Sequence, residues 1–224
     1  IMHAMSKELG HGITVVDAVY LHSGVAALYL VEEEGVVAII ETGTNHSVPV
    51  IKEVLESKQL SFDDVSYIIP THIHLDHAGG AGELMYLCPN AQLVIHPYGA
   101  AHMIEPSKIV AGATAVYGEE KFHELYGTIR PVDENRVIQA PDGFKLNMNG
   151  REFEFLDTPG HARHHFCIYD KKSNGLFTGD TFGLSYPQLT TANGRFIFAT
   201  TTPVQFDPDA LLESIDKILD KKPE

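Results

Sequence analysis

The segment Thr71–His77 combines residue types that bind metal ions: within six residues it carries His72, His74, Asp76 and His77. It directly follows the apolar run Val65–Pro70, which has the length and β-branched content of a strand, and a glycine-rich turn follows it. Burying so many imidazoles and a carboxylate is costly unless they bind a metal. In an extended segment His72 and His74 project to the same side, whereas Asp76 and His77 lie across the following bend. The segment therefore predicts ligands for two metal ions.

Two further ligand-type side chains occupy the same kind of position. His161 ends the run Asp157–His161, Asp180 lies in the run Leu176–Thr181, and each run follows or begins with a short apolar stretch typical of a strand. For any one of the 13 histidines, a solvated loop position is the ordinary alternative. Because strand ends are where functional side chains concentrate and the pattern occurs three times, we interpret these residues as metal ligands.

The series His72-x-His74-x-Asp76-His77, followed by His161 and Asp180, resembles the ligand series of the metallo-β-lactamase superfamily. The run THIHLDHAGGAG from Thr71 and the run PGHARHH from Pro159 are similar to those of a prokaryotic subgroup of stand-alone members. Some relatives in that subgroup are described only as metal-dependent hydrolases, and at least one is a di-iron protein that binds oxygen.

The resemblance implies a binuclear site with six protein ligands: His72, His74 and His161 for one ion, Asp76 and His77 for the second, and Asp180 bridging the pair. Imidazole and carboxylate ligands suit zinc, iron and manganese, so we expect two divalent ions, zinc or iron, with manganese as a further option.

In a site of this kind a shared water becomes hydroxide near neutral pH and attacks an ester, thioester or related acyl bond of a small-molecule substrate. Asp76 is also the candidate catalytic residue, since it would orient that water and accept a proton. The alternative is a non-hydrolytic protein in which two ferrous ions bind or sense dioxygen. We favour the hydrolase because the wider superfamily is mostly hydrolytic, an argument from analogy.

Glu41 marks one departure from the family pattern, which has an aspartate before the first helix. Here the sequence is Ile40-Glu41-Thr42-Gly43, and a glutamate reaches one methylene further. We expect Glu41 to support the metal-binding loop through hydrogen bonds, with an ordinary turn residue as the alternative.

A second departure concerns a late histidine, which members of this family supply to the second metal from a strand after the last helix. The sequence contains no histidine beyond His165. We therefore expect a single metallo-β-lactamase-like domain over residues 1–224 that lacks its C-terminal strand and last ligand through truncation or cleavage. The alternatives are completion of the site by water, another side chain or a neighbouring subunit of a homo-oligomer.

The composition restricts the partners. The net charge is −14, from 16 Lys and Arg against 30 Asp and Glu, so a nucleic-acid substrate would be repelled. No apolar segment is long enough to span a bilayer, and Ile1–Leu9 lacks the features of a secretory signal. We expect a cytoplasmic protein that binds neither membranes nor nucleic acid.

The sequence shows patterns typical of strands and of helices. The strand patterns lie near 13–20, 25–31, 36–41, 65–69, 91–95, 136–139, 144–147, 152–156, 164–170 and 175–178. The helical patterns lie near 48–58, 79–87 and 207–220. Two strand clusters flanked by helices predict an α/β fold, a four-layer αββα sandwich of the metallo-β-lactamase type. A mostly helical insertion spans 97–131, with Met103, Tyr117 and Tyr126 either shaping a lid over a substrate or packing into the core. His165 is a candidate supporting hydrogen-bond donor near His161.

Overall fold

The structure, a computed structural model, describes residues 5–202 and 204–224. Residues 1–4, which belong to the segment in which we predicted no secretory signal, lie outside the described residues. The chain divides into two compact units, the first ending at Gln139 and the second running from Ala140 to Glu224. Each unit contains one sheet.

The sheet of the first unit has seven strands in chain order: β1 (Ser6–Gly10), β2 (Ile13–Asp17), β3 (Ala27–Glu33), β4 (Val36–Ile40), β5 (Val65–Ile69), β6 (Gln92–Ile95) and β7 (Val137–Gln139). Strands β1 to β4 pair antiparallel, and β4 to β7 pair parallel. Strands β4 and β6 are nearly continuous apolar runs and are buried over most of their length, as is usual for strands with both faces covered. The carboxyl ends of β4 and β5 therefore lie side by side, with Ile40 in register with Ile69.

The described residues of this unit form six α-helices: α1 (Val48–Ser57), α2 (Leu75–Ala78), α3 (Ala81–Leu87), α4 (Pro97–Ile104), α5 (Ser107–Tyr117) and α6 (Glu119–Tyr126). Helix α1 buries Val48, Ile51, Val54 and Leu55, which share one face because they are three or four residues apart. Thr44 and Ser47 form a capping box at the short 3-10 helix that precedes α1. This cap fixes the chain where it leaves β4.

Part of the helical insertion packs into the core. Met103 is 2% exposed and belongs to the main hydrophobic cluster, and Phe122, Leu125 and Tyr126 pack around Leu75 of α2. Helix α5 has no buried residue, and Tyr117 at its end is 47% exposed. Met103 and Tyr126 are therefore packed, and Tyr117 alone of the three candidate lid residues is substantially open to solvent.

The second unit has a four-stranded antiparallel sheet in the order β11 (Gly175–Phe177), β10 (Phe166–Asp170), β9 (Arg151–Asp157) and β8 (Lys145–Met148). Helix α7 (Pro208–Asp220) begins at Asp207, whose side chain accepts a hydrogen bond from the Ala210 amide. Phe155 and Phe166 pack edge to face at a centroid separation of 4.9 Å in the buried interior of the unit. The sheet holds the ends of β9 and β11 in fixed positions.

Two sheets with associated helices confirm the predicted mixed α/β class. Strand β1 and helix α2 were not predicted, the first because Ser6–Gly10 is largely exposed and shows no apolar alternation. Among the described residues, no helix has the length and apolar character needed to cross a membrane.

Candidate metal centre

The segment that runs from the end of β5 through α2 carries four of the predicted ligands. His72 is fully buried, and its Nε2 lies 2.9 Å from Nδ1 of His74. Asp76 and His77 lie within α2, with 3.5 Å between Asp76 Oδ2 and His77 Nε2. Two ligand atoms bound at about 2.0–2.1 Å to one tetrahedral metal lie about 3.3 Å apart. Both pairs therefore have the spacing of neighbouring ligands.

Hydrogen bonds determine which nitrogen of His72 holds the lone pair. The Thr71 hydroxyl donates to Glu41 Oε2 over 3.2 Å, because a carboxylate only accepts. The same hydroxyl oxygen lies 3.0 Å from His72 Nδ1 and must therefore accept from it. The proton of His72 is thus on Nδ1 and the lone pair on Nε2, as a metal ligand requires.

Glu41 organises this segment, as the sequence indicated. Its carboxylate is buried and accepts hydrogen bonds from the Thr71 amide and from His77 Nδ1. It adopts φ +63°, a left-handed conformation that is uncommon outside glycine. The contact with Nδ1 directs the lone pair of His77 to Nε2, the atom that faces Asp76. Ligand atoms of Glu41, His72 and His77 lie within 4.8 Å of one another, so a metal-binding role for the carboxylate itself is also compatible with the distances.

In the second unit, His161 and Asp180 come together. His161 follows β9, Asp180 follows β11, and His161 Nε2 lies 3.3 Å from Asp180 Oδ2. His161 Nδ1 lies 3.3 Å from the carbonyl oxygen of Thr200, to which it donates, so its lone pair is again on Nε2. Sequence reasoning missed Thr200, since it is 39 residues away and a backbone carbonyl leaves no residue-type signal.

The sequence also did not indicate that the phenols of Tyr20 and Tyr126 form a pair beside α2. The hydroxyls of Tyr20 and Tyr126 lie 3.2 Å apart, and Tyr126 packs against Leu75, which precedes Asp76. Burial raises the pKa of the Tyr20 phenol, and the Asp76 carboxylate adds to the rise. Burial also raises the pKa of Tyr126, so both phenols stay protonated at neutral pH.

The donor set in each unit suits a divalent transition metal. Nitrogen and oxygen ligands predominate, three imidazoles have their Nδ1 atoms engaged in hydrogen bonds, and the measured ligand pairs are spaced for coordination. Solvated loop histidines would lack this arrangement.

Comparison with known proteins places the chain in a family. The model of the metallo-beta-lactamase superfamily matches residues 24–224. The chain belongs to this superfamily. The family resemblance of the ligand series is therefore confirmed.

The superfamily relatives include an archaeal protein of known structure. The metallo-beta-lactamase fold-containing protein ST1585 of Sulfurisphaera tokodaii is 28% identical over 203 residues, which cover 89% of this chain and 70% of that protein. Its crystal structure superposes with a TM-score of 0.73 at 26% identity, over 96% of this chain and 77% of that one.

Two superfamily relatives carry enzyme names. A probable hydroxyacylglutathione hydrolase of Schizosaccharomyces pombe is 27% identical over 194 residues, 85% of this chain and 59% of that protein. A human acyl-coenzyme A thioesterase is 24% identical over 193 residues, 78% of this chain and 64% of that protein. The chain thus spans less than two thirds of the length of both enzymes.

Proposed function

We propose that this superfamily member is a binuclear metal-dependent hydrolase that cleaves an ester, thioester or related acyl bond of a small molecule. The observation that carries the proposal is the set of imidazoles whose Nδ1 atoms are held by Thr71, Glu41 and the Thr200 carbonyl. Such orientation leaves Nε2 for a metal. The relatives named as a hydroxyacylglutathione hydrolase and an acyl-coenzyme A thioesterase support the acyl substrate class.

The proposed ligands follow the superfamily pattern: His72, His74 and His161 for one ion, Asp76 and His77 for the second, and Asp180 for both. Two divalent ions, zinc or iron with manganese as a further option, would supply Lewis-acid activation of a water and of the scissile carbonyl when bound.

Asp76 has the second, catalytic role in this proposal. Its side chain is 34% exposed, whereas that of His77 is 12% exposed, so its carboxylate is the more accessible group of the pair. One carboxylate oxygen faces His77, and the other is available to orient a water molecule and accept its proton. Glu41 keeps the imidazole of His77 in place while Asp76 exchanges that proton.

The test combines metal analysis with an activity panel. Protein purified without added metal should contain close to two equivalents of zinc, iron or manganese and should hydrolyse some members of a panel of acyl thioesters and aryl esters. His74→Ala should lose metal and activity together, whereas His123→Ala on the exposed face of α6 should retain both. Two irons, an oxygen-dependent visible band and no hydrolysis would overturn the proposal in favour of dioxygen binding.

A further inference from the structure

The fully buried ring of His165, which immediately precedes β10, lies between the two turns that carry His161 and Asp180. Its Nε2 lies 3.2 Å from the backbone nitrogen of Asp180. Its Nδ1 lies 2.9 Å from Thr158 Oγ1 and 3.0 Å from Thr181 Oγ1. One ring thus contacts both turns through polar atoms.

These contacts assign the tautomer of the ring. A backbone N–H only donates, so Nε2 accepts the hydrogen bond from Asp180 and carries no proton. The single proton of the neutral ring is then on Nδ1, and the hydroxyl oxygens of Thr158 and Thr181 share it as acceptors. Those hydroxyls have other acceptors for their own protons: Thr158 donates to Cys167 Sγ over 3.4 Å, and Thr181 contacts the Thr158 carbonyl at 3.5 Å.

We infer that His165 is a positioning residue, whose Nε2 accepts a hydrogen bond from the Asp180 amide and thereby holds the Asp180 carboxylate at its distance from His161. The backbone adds to the same link, because the Thr158 amide donates to the His165 carbonyl over 3.1 Å. The role differs from that expected from the sequence, since toward Asp180 the ring is an acceptor rather than a donor. The inference rests on the proposed function only in that Asp180 is taken as a metal ligand.

A matched pair of variants distinguishes the role of Nε2 of His165 from the role of its Nδ1. In His165→Gln, the amide oxygen reaches the position of Nε2 and can accept from the Asp180 amide. In His165→Asn, the amide nitrogen takes the position of Nδ1 and can donate to Thr158, but nothing reaches Asp180. Both variants remove the buried ring, so both lose similar packing.

The experiment measures zinc affinity by competition with a chromophoric chelator, with circular dichroism to confirm folding. His165→Asn should bind zinc about tenfold to hundredfold more weakly, whereas His165→Gln should stay close to the unmodified protein. Equal losses in the two variants would show a packing role only and would overturn the inference.

A second measurement is independent of metal and of activity. Nitrogen-15 NMR of the metal-free protein should show His165 as the neutral tautomer protonated at Nδ1, and protonation at Nε2 would overturn the inference. Failure of the proposed function looks different: the unmodified protein would bind no metal or hydrolyse nothing, while the tautomer of His165 stayed as assigned.

Discussion

Glu41 shows how one residue organises several of the proposed metal ligands. Its carboxylate accepts from the Thr71 amide, the Thr71 hydroxyl and His77 Nδ1, and the Thr71 hydroxyl in turn orients His72. Two predicted ligands therefore depend on one buried carboxylate. A glutamate fulfils this supporting role from a backbone position with φ +63°, despite its longer side chain.

Replacing Glu41 by Gln should weaken metal binding about tenfold to hundredfold, because an amide accepts through one oxygen and cannot satisfy both Thr71 and His77. Isothermal titration with zinc measures the effect. Glu53→Gln on the exposed side of α1 is the matched control and should leave affinity unchanged. An unaltered affinity in Glu41→Gln would mean that Glu41 is an ordinary turn residue.

Asp170 is a second acidic residue whose side chain is buried. It pairs with Arg151, both side chains are 0% exposed, and Arg151 Nε lies 3.0 Å from Asp170 Oδ1. Burial alone would raise the pKa of this carboxyl, but the hydrogen bonds from Arg151 and Ser173 outweigh it and hold the pKa below the ordinary value of 3.8.

Asp170→Asn should lower the free energy of unfolding by about 3–5 kcal/mol, because it leaves the Arg151 charge buried without its partner. Glu56→Gln, which breaks the exposed Lys52–Glu56 pair, should cost less than about 1 kcal/mol. Since the folded pKa of Asp170 is depressed, its contribution is fully present above the unfolded pKa and is lost as the pH falls through the folded pKa. Urea titrations at pH 7 and near pH 3 should therefore show a smaller difference between unmodified protein and Asp170→Asn at the lower pH.

At the scale of elements, apolar periodicity predicted most strands and helices to within a few residues, including β5, α1, α3 and α7. Helix α2 escaped prediction because four residues are too short to show a helical period. At the candidate site, spacing identified the ligand-type residues but not the partners of their Nδ1 atoms. Those partners include a distant carbonyl at Thr200, whose position depends on the folded chain rather than on any local pattern.

The glycine-rich segment after α2 leaves no space for a side chain at Gly82, which can be tested. A Cβ at Gly82 of α3 would lie 1.9 Å from the Arg130 carbonyl oxygen, whereas a Cβ at Gly112 of α5 would meet nothing within 4 Å. Gly82→Ala should therefore destabilise the chain by about 1–3 kcal/mol, and Gly112→Ala should stabilise it by about 0.5–1 kcal/mol. Midpoints of urea unfolding measure both changes, and a neutral Gly82→Ala would show that residues near Arg130 relax at little cost.

At the scale of the whole molecule, the charge distribution favours cations. A net charge of −14 repels polyanions and attracts metal ions, but it does not select one metal. Selection must come from the ligand types. The imidazole-rich set suits zinc or iron, whereas magnesium prefers oxygen ligands and retains its waters.

Removing metal from the proposed centre should therefore lower the melting temperature of the chain. How far the melting temperature recovers should depend on which ion is added back. A ligand that binds only the folded state raises the free energy of unfolding by about 4 kcal/mol when its concentration is a thousandfold above its Kd. Zinc, ferrous iron or manganese should raise the melting temperature of chelator-treated protein in calorimetry, and the same concentration of magnesium should have little effect. His74→Ala should respond much less than His123→Ala, because only the first substitution removes a proposed ligand. Equal stabilisation by magnesium would assign the effect to the acidic surface and would contradict an imidazole-based centre.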